Sequence, residues 1–187
     1  MRKIVAGLFV SLDGVVESPE KWHLRYFDDE MGEIVDRAAE QADAILLGRR
    51  TYQEFAEFLP SQSSEESFAE YMNATPKHVA STTLTRLDWA NSSLVAGGLH
   101  EGVSRLKQQP GRDIQVIGSP TLVQWLLREG LLDELGLLVH PIVVGGGKRL
   151  FENGGYGTPL RLVDSRHLGT GVVSLTYAPA LAARADG

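Results

Sequence analysis

The chain has 187 residues, 43% hydrophobic and 22% charged, which is enough apolar material for one compact domain with its own core. A net charge of −6 sets nucleic acid and acidic membrane surfaces aside as main partners, and the absence of cysteine removes disulfides, thiol nucleophiles and thiolate metal sites. No apolar run is long enough to span a bilayer, so the expected compartment is the cytoplasm.

The opening MRKIVAGLFV has the basic start and apolar run of a signal peptide. The run is short, lacks a small-residue cleavage site and continues into SLDG, so it reads as a first strand. Ser11 to Asp29 is acidic and aromatic; Trp22, Tyr26 and Phe27 suit either stacking on a flat heterocycle or pinning of the loop to the core. Asp13 before Gly14 fits a turn, or a carboxylate that orients substrate or relays a proton. DDEMGEIVDRAAEQA predicts a helix with Met31, Ile34, Val35, Ala38 and Ala42 on one face.

ADAILLGRRTYQEF gives an apolar strand, Gly48, and a helix that starts with two arginines. Cations at a helix N-terminus oppose its dipole unless an anion joins them. Residues 60–67 read as a polar loop, and Lys77 to Thr85 as a strand stopping in hydroxyls. Ser92 to Gln109 gives a strand, Gly97-Gly98 and an amphipathic helix carrying Val103 and Leu106.

DIQVIGSPTLVQWLLREGLLDEL repeats the pattern. Ile114, Val116 and Ile117 form a strand, Ser119 suits an N-cap, Pro120 the first helical position and Gly130 the C′ position. Gly118 leaves room for another molecule to approach a helix start, a natural anion site.

GLLVHPIVVG reads as a strand whose Pro141 implies an edge or a bulge. His23 and His140 belong to the residue type that can titrate near neutral pH, and His140 reads as a satisfied strand histidine. GGGKRLF makes a tight turn, with Lys148 and Arg149 solvated or meeting a substrate phosphate. RLVDSRHLGTGVVSLTYAP predicts a hairpin around residues 169–171. No His/Asp/Glu spacing makes a metal site. The apolar stretch from Leu131 to Val144 predicts a covered surface, hence a homodimer.

Strands alternating with helices, then two strands alone, imply an α/β domain over residues 1–178 with a flexible tail at 179–187. The sheet should be mixed and mainly parallel, flanked by helices, with a C-terminal antiparallel hairpin.

FVSLDGVV, LLGRRTYQEF, VASTTL, VIGSPTLVQWLLREGLLDEL and HPIVVGGGKRLF, in this order and spacing, resemble the dihydrofolate-reductase-like family. Within it the chain is most similar to the C-terminal reductase domain of bifunctional riboflavin-biosynthesis deaminase-reductases and its stand-alone bacterial relatives. The resemblance implies NADPH as hydride donor and a small heterocyclic or carbonyl-like substrate. The nearest named activity is 5-amino-6-(5-phosphoribosylamino)uracil reductase. It places the cofactor phosphates at Gly48, Arg49, Arg50 and Thr51, at Ser81, Thr82 and Thr83, and at Gly118, Ser119, Pro120, Thr121 and Leu122. The carboxylate that protonates a pterin in dihydrofolate reductases falls here at Met31 and Gly32, with Glu30 and Glu33 on either side. The lysine and Asp-Asp-Pro motifs of the riboflavin-pathway reductase are missing. The alternatives are a pteridine or dihydrofolate reductase, or a dinucleotide-binding module without catalysis.

Overall fold

The computed structural model describes residues 1–61, 67–151 and 157–180. Most of the expected polar loop and nearly all of the expected tail lie outside them. Strands β1 (Ile4–Ser11), β2 (Ala42–Gly48), β3 (Lys77–Ala80), β4 (Ser92–Leu94), β5 (Asp113–Ile117), β6 (Glu134–His140), β7 (Leu160–His167) and β8 (Val173–Pro179) form one sheet in the order β4-β3-β2-β5-β1-β6-β8-β7. The first six strands run parallel; β8 is antiparallel to both β6 and β7. The α-helices are α1 (Asp29–Gln41), α2 (Arg49–Phe58), α3 (Ser67–Ala74), α4 (Leu99–Gln108) and α5 (Pro120–Arg128). Among the described residues, no helix is long and apolar enough to cross a membrane.

Alternation along β1 sets the layers. Ile4, Ala6, Leu8 and Val10 point to one face, where Val103 and Leu106 of α4 and Leu122, Val123, Leu126 and Leu127 of α5 complete the main core. Burying each large side chain of α5 contributes about 1.5–3 kcal/mol. The other face carries two separate clusters. Ile45, Leu47, Met72, Val79 and Trp89 pack on the β2–β3 side, and Met31, Leu138, Leu168 and Val172 pack with Phe9 on the β1–β6 side.

Three local expectations change. β6 stops at His140, before Pro141, because proline has no N–H to extend a ladder. It is also an interior strand between β1 and β8; the edges are β4 and β7. β3 ends at Ala80, where Ser81 Oγ accepts from the N–H groups of Thr83 (3.2 Å) and Leu84 (3.0 Å) and turns the chain. Ser119 precedes α5 but its side chain makes no capping bond; its backbone is left-handed, with φ 53°.

Candidate functional site

The turns after β2 and β5 lie side by side and are tied together. Gly48 N–H donates to Ser119 Oγ (3.0 Å), Ser119 Oγ donates to Ile117 O (3.2 Å), and Ser119 N–H donates to Thr51 Oγ1 (3.1 Å). Ser119 therefore joins two helix starts instead of capping one. Gly118 is left-handed at φ +57°, and a Cβ there would lie 3.3 Å from Thr51 Cγ2.

The N-terminus of α2 has no side-chain cap and no acidic residue in its first turn. Arg49 and Arg50 are both exposed there. Arg49 reaches back to Gln53 Oε1 at 3.3 Å, while Arg50 makes no hydrogen bond or ion pair with another described residue. Lys148 adds a third cation, its Nζ donating to Thr121 Oγ1 (2.5 Å) at the start of α5. The pairing of Gly48 with Ala80 puts Ser81 beside this rim, with Thr82 and Thr83 exposed next to it. Two helix dipoles and three cations thus converge with no carboxylate in either first turn, an arrangement that favours anionic groups. Pro120 and Leu122 serve the helix itself, Pro120 in its first turn and Leu122 buried in the main core.

Next to the rim lies an open trough. Gly7 sits in the middle of the sheet between β5 and β6, yet it is exposed and a Cβ on it would meet nothing within 4 Å. Its neighbour across β6 is Gly136. On this face the two apolar clusters stop short of each other, so the glycine pair forms the floor of a gap. A cavity of about 240 Å³ between α4 and the β3–β4 edge, lined by His78, Ser93, Arg105 and Gln109, belongs to the opposite face.

Three candidate carboxyls are held by donors. Asp13 accepts from Ser11 Oγ (2.7 Å) and from the N–H groups of Val144 (3.0 Å) and Gly145 (2.9 Å), which hold its pKa down at about 2. Glu30 accepts from Gly169 N–H (2.7 Å) and Arg166 (2.8 Å), and these lower its pKa as well. Glu33 lies 3.7 Å from the same Arg166. Asp13 and Glu30 therefore stay ionised at neutral pH, which makes them poor proton donors. They fasten loops: Asp13 the turn after β6, and Glu30 the β7–β8 hairpin.

The aromatic candidates separate. Trp22 is buried, with its Nε1–H on Glu17 O (3.2 Å), and Tyr26 donates to Pro141 O (3.4 Å). Phe27 is exposed, 47% of its surface open. Among the described residues no group of three or more His, Asp or Glu side chains is placed to hold a metal ion.

The model of the RibD C-terminal domain family matches residues 2–174. The chain belongs to this family. A Bacillus subtilis (strain 168) relative, YyaP, is 31% identical over 182 residues, covering 94% of each protein. A putative riboflavin biosynthesis protein from Shewanella sp. PV-4 superposes with TM-score 0.75 at 21% identity, over 96% of this chain and 99% of that one. A diaminohydroxyphosphoribosylaminopyrimidine deaminase/5-amino-6-(5-phosphoribosylamino)uracil reductase from Thermotoga maritima superposes with TM-score 0.66 at 12% identity, over 96% of this chain and 57% of that one. As a RibD C-terminal domain, the chain shares the fold of these solved proteins.

In this RibD-type chain Gly7 and Gly136 are further residues at the site, and Lys148, read as solvated or meeting a substrate phosphate, stands at the start of α5. A glycine inside the apolar strand IVAGLFV was a readable signal of close approach. The position of Lys148 over α5 had none, because a long-range loop contact sets it. Gly118 also has a larger structural share than the capping pattern implies. Gly118→Val is expected to lower stability by about 1–3 kcal/mol through left-handed strain and crowding of Thr51, besides obstructing a ligand. Gly118→Ala should show the strain with less crowding. Urea unfolding of both variants checks this; a valine variant as stable as wild type would remove the junction argument.

Proposed function

We propose that the chain is an NADPH-dependent reductase of a small heterocyclic or carbonyl-like substrate. The single observation that carries this reading is the cationic rim of Arg49, Arg50 and Lys148 at two adjoining helix starts, opening beside a glycine-floored trough in the sheet. Gly118 provides a cradle that a side chain would fill, and Arg50 has a guanidinium free to meet a 2′-phosphate. When bound, NADPH supplies a hydride for an electron-poor C=N or C=O carbon. The chain's own residues bind the phosphates at the rim, seat a flat substrate over Gly7 and Gly136, and exclude water with the residues 18–27 strap. By resemblance the nearest named activity remains 5-amino-6-(5-phosphoribosylamino)uracil reductase.

A second reading is a dinucleotide-binding module without catalysis, favoured by the commitment of Asp13 and Glu30 to structural bonds. The deciding experiment titrates NADPH and NADH by fluorescence. It then follows NADPH oxidation with dihydrofolate, phosphorylated aminopyrimidines, and quinonoid and carbonyl compounds. NADPH should bind more tightly than NADH, and turnover should appear with a panel compound other than dihydrofolate. Equal affinity for the two cofactors would end the reading of the rim. Binding without turnover on any compound would favour the second reading.

The homodimer is retained on a different surface. Leu131, Leu132, Leu135 and Leu138 are buried within the single chain. Leu137, Val139, Val173, Leu175 and Tyr177 on β6 and β8 are only half-buried, and Leu162 on the edge strand β7 is 49% exposed. Pairing of this face with a second copy would cover it. Light scattering at micromolar concentration should give twice the 20.4 kDa chain mass, and the monomer mass would refute the pairing.

A further inference from the structure

Among the described residues, three buried side-chain polar atoms lack a hydrogen-bond partner: His23 Nδ1, His140 Nε2 and Thr170 Oγ1. All three border one apolar cluster, formed by Met31, Leu138, Leu168 and Val172 with Phe9 and Tyr26 packed on it. His140 stands two residues beyond Leu138 on β6. Its ring is edge-on to Trp22 (5.2 Å), Phe9 (5.6 Å), Tyr26 (5.7 Å) and His23 (6.0 Å). Thr170 occupies the hairpin turn between Leu168 and Val172. Folded interiors pair nearly all their polar groups, so unpaired atoms gathered at one place mark a site where a missing partner belongs.

The polarity of that partner follows from His140. Its Nδ1 lies 2.8 Å from Leu138 O, so Nδ1 carries the hydrogen and Nε2 presents a lone pair. Burial disfavours the imidazolium and keeps the ring neutral. Nε2 therefore needs a donor. The shape of the partner follows from Phe9, which is two residues from Gly7 on the same face of β1, roughly 7 Å along the strand. His23 lies flat on Phe9, with centroids 4.3 Å apart and planes at 13°. One flat ring thus already covers the aromatic surface at the end of the trough, beside an acceptor with nothing to accept.

We propose that His23 holds the place of a ligand ring: a flat, uncharged heterocycle bearing a ring N–H stacks on Phe9 where His23 lies, and that N–H donates to His140 Nε2. The strap carrying His23 swings aside to admit the ring, and the Thr170 hydroxyl meets a second polar atom of the ligand. The strap packs its Trp22, His23 and Tyr26 rings edge-on against His140 and bonds to the segment after β6 through the 3.4 Å bond from Tyr26 to Pro141 O, a long bond that yields readily. His140 then becomes a specificity-determining residue, selecting substrates with a ring N–H. This deepens the reductase reading, on which it rests for the use of the trough.

The test compares lumazine, which has ring N–H groups, with 1,3-dimethyllumazine, which has none, on the full chain without cofactor. Ligand fluorescence gives the affinities, and long-range ¹H–¹⁵N spectra follow the two imidazoles. Lumazine should bind and move the His140 Nε2 resonance, and the dimethyl compound should bind at least about tenfold more weakly. His140→Phe should weaken lumazine binding by about tenfold, while His23→Ala should tighten it severalfold because the competing ring is gone. Equal binding of the two lumazines to the wild type, or an unmoved His140 resonance at saturation, would overturn the proposal without needing any variant to fold. Weaker binding to His23→Ala would overturn the place-holding role. None of these readouts uses turnover or NADPH, so failure here and failure of the reductase assay are told apart.

Discussion

Arg50→Ala is expected to weaken NADPH binding by roughly ten- to a hundredfold, about 1.5–3 kcal/mol, while changing NADH binding little. Arg50 is exposed at the uncapped start of α2, where the helix dipole already favours an anion and no acidic residue of the first turn neutralises the charge. A phosphate placed there gains charge-assisted bonds that a ribose hydroxyl cannot make. Arg49→Ala should have the smaller effect, because its guanidinium lies along the helix toward Gln53. Arg50→Lys should recover only part of the loss, since an ammonium cannot make the bidentate contact. Fluorescence titration of both cofactors against the three variants checks the ranking. An Arg50→Ala chain that still prefers NADPH as wild type does would move the 2′-phosphate away from this turn.

Lys77→Met is expected to cost about 2–4 kcal/mol of folding stability, among the largest effects of any single polar residue here. Lys77 is fully buried at the start of β3. Its ammonium donates to Met72 O (2.7 Å), Asn73 O (3.3 Å) and Thr75 O (2.8 Å), and it stands 4.5 Å over the Trp89 ring. It thereby satisfies carbonyls at the C-terminus of α3, where a cation also suits the dipole. Methionine fills the volume but leaves those carbonyls dry. Burial draws the Lys77 pKa down from 10.5 to about 8. A folded-state pKa below the unfolded one means folding favours loss of the proton. Wild-type stability should therefore rise between about pH 8 and pH 10.5 relative to the methionine variant. Chemical denaturation at pH 7 and across that window checks both statements. A variant within about 0.5 kcal/mol of wild type at pH 7 would reduce Lys77 to filler.

The repeated strand-glycine-helix turns were enough to specify the parallel centre of the sheet, because these are local patterns. The Gly-Thr-Gly turn between two short strands specified the hairpin in the same way. The cationic helix start at Arg49 and Arg50 was equally visible, since charge beside a cap position needs no distant partner. Other features depended on residues far apart in the chain. Ser119 looked like a cap until Gly48 and Thr51 were placed beside it. Asp13 fitted a turn or a substrate-orienting carboxylate, and Glu30 flanked the proton-donor level of the related reductases, until the turn at Val144 and the hairpin at Gly169 reached them. Lys77 looked like a strand end until α3 closed over it, and His140 like a satisfied strand residue until its Nε2 was enclosed without a donor. Backbone periodicity is set by neighbours one to four residues away. The partner of a hydrogen-bonding side chain is set by whichever segment the folded sheet brings alongside, and only the tertiary structure decides that.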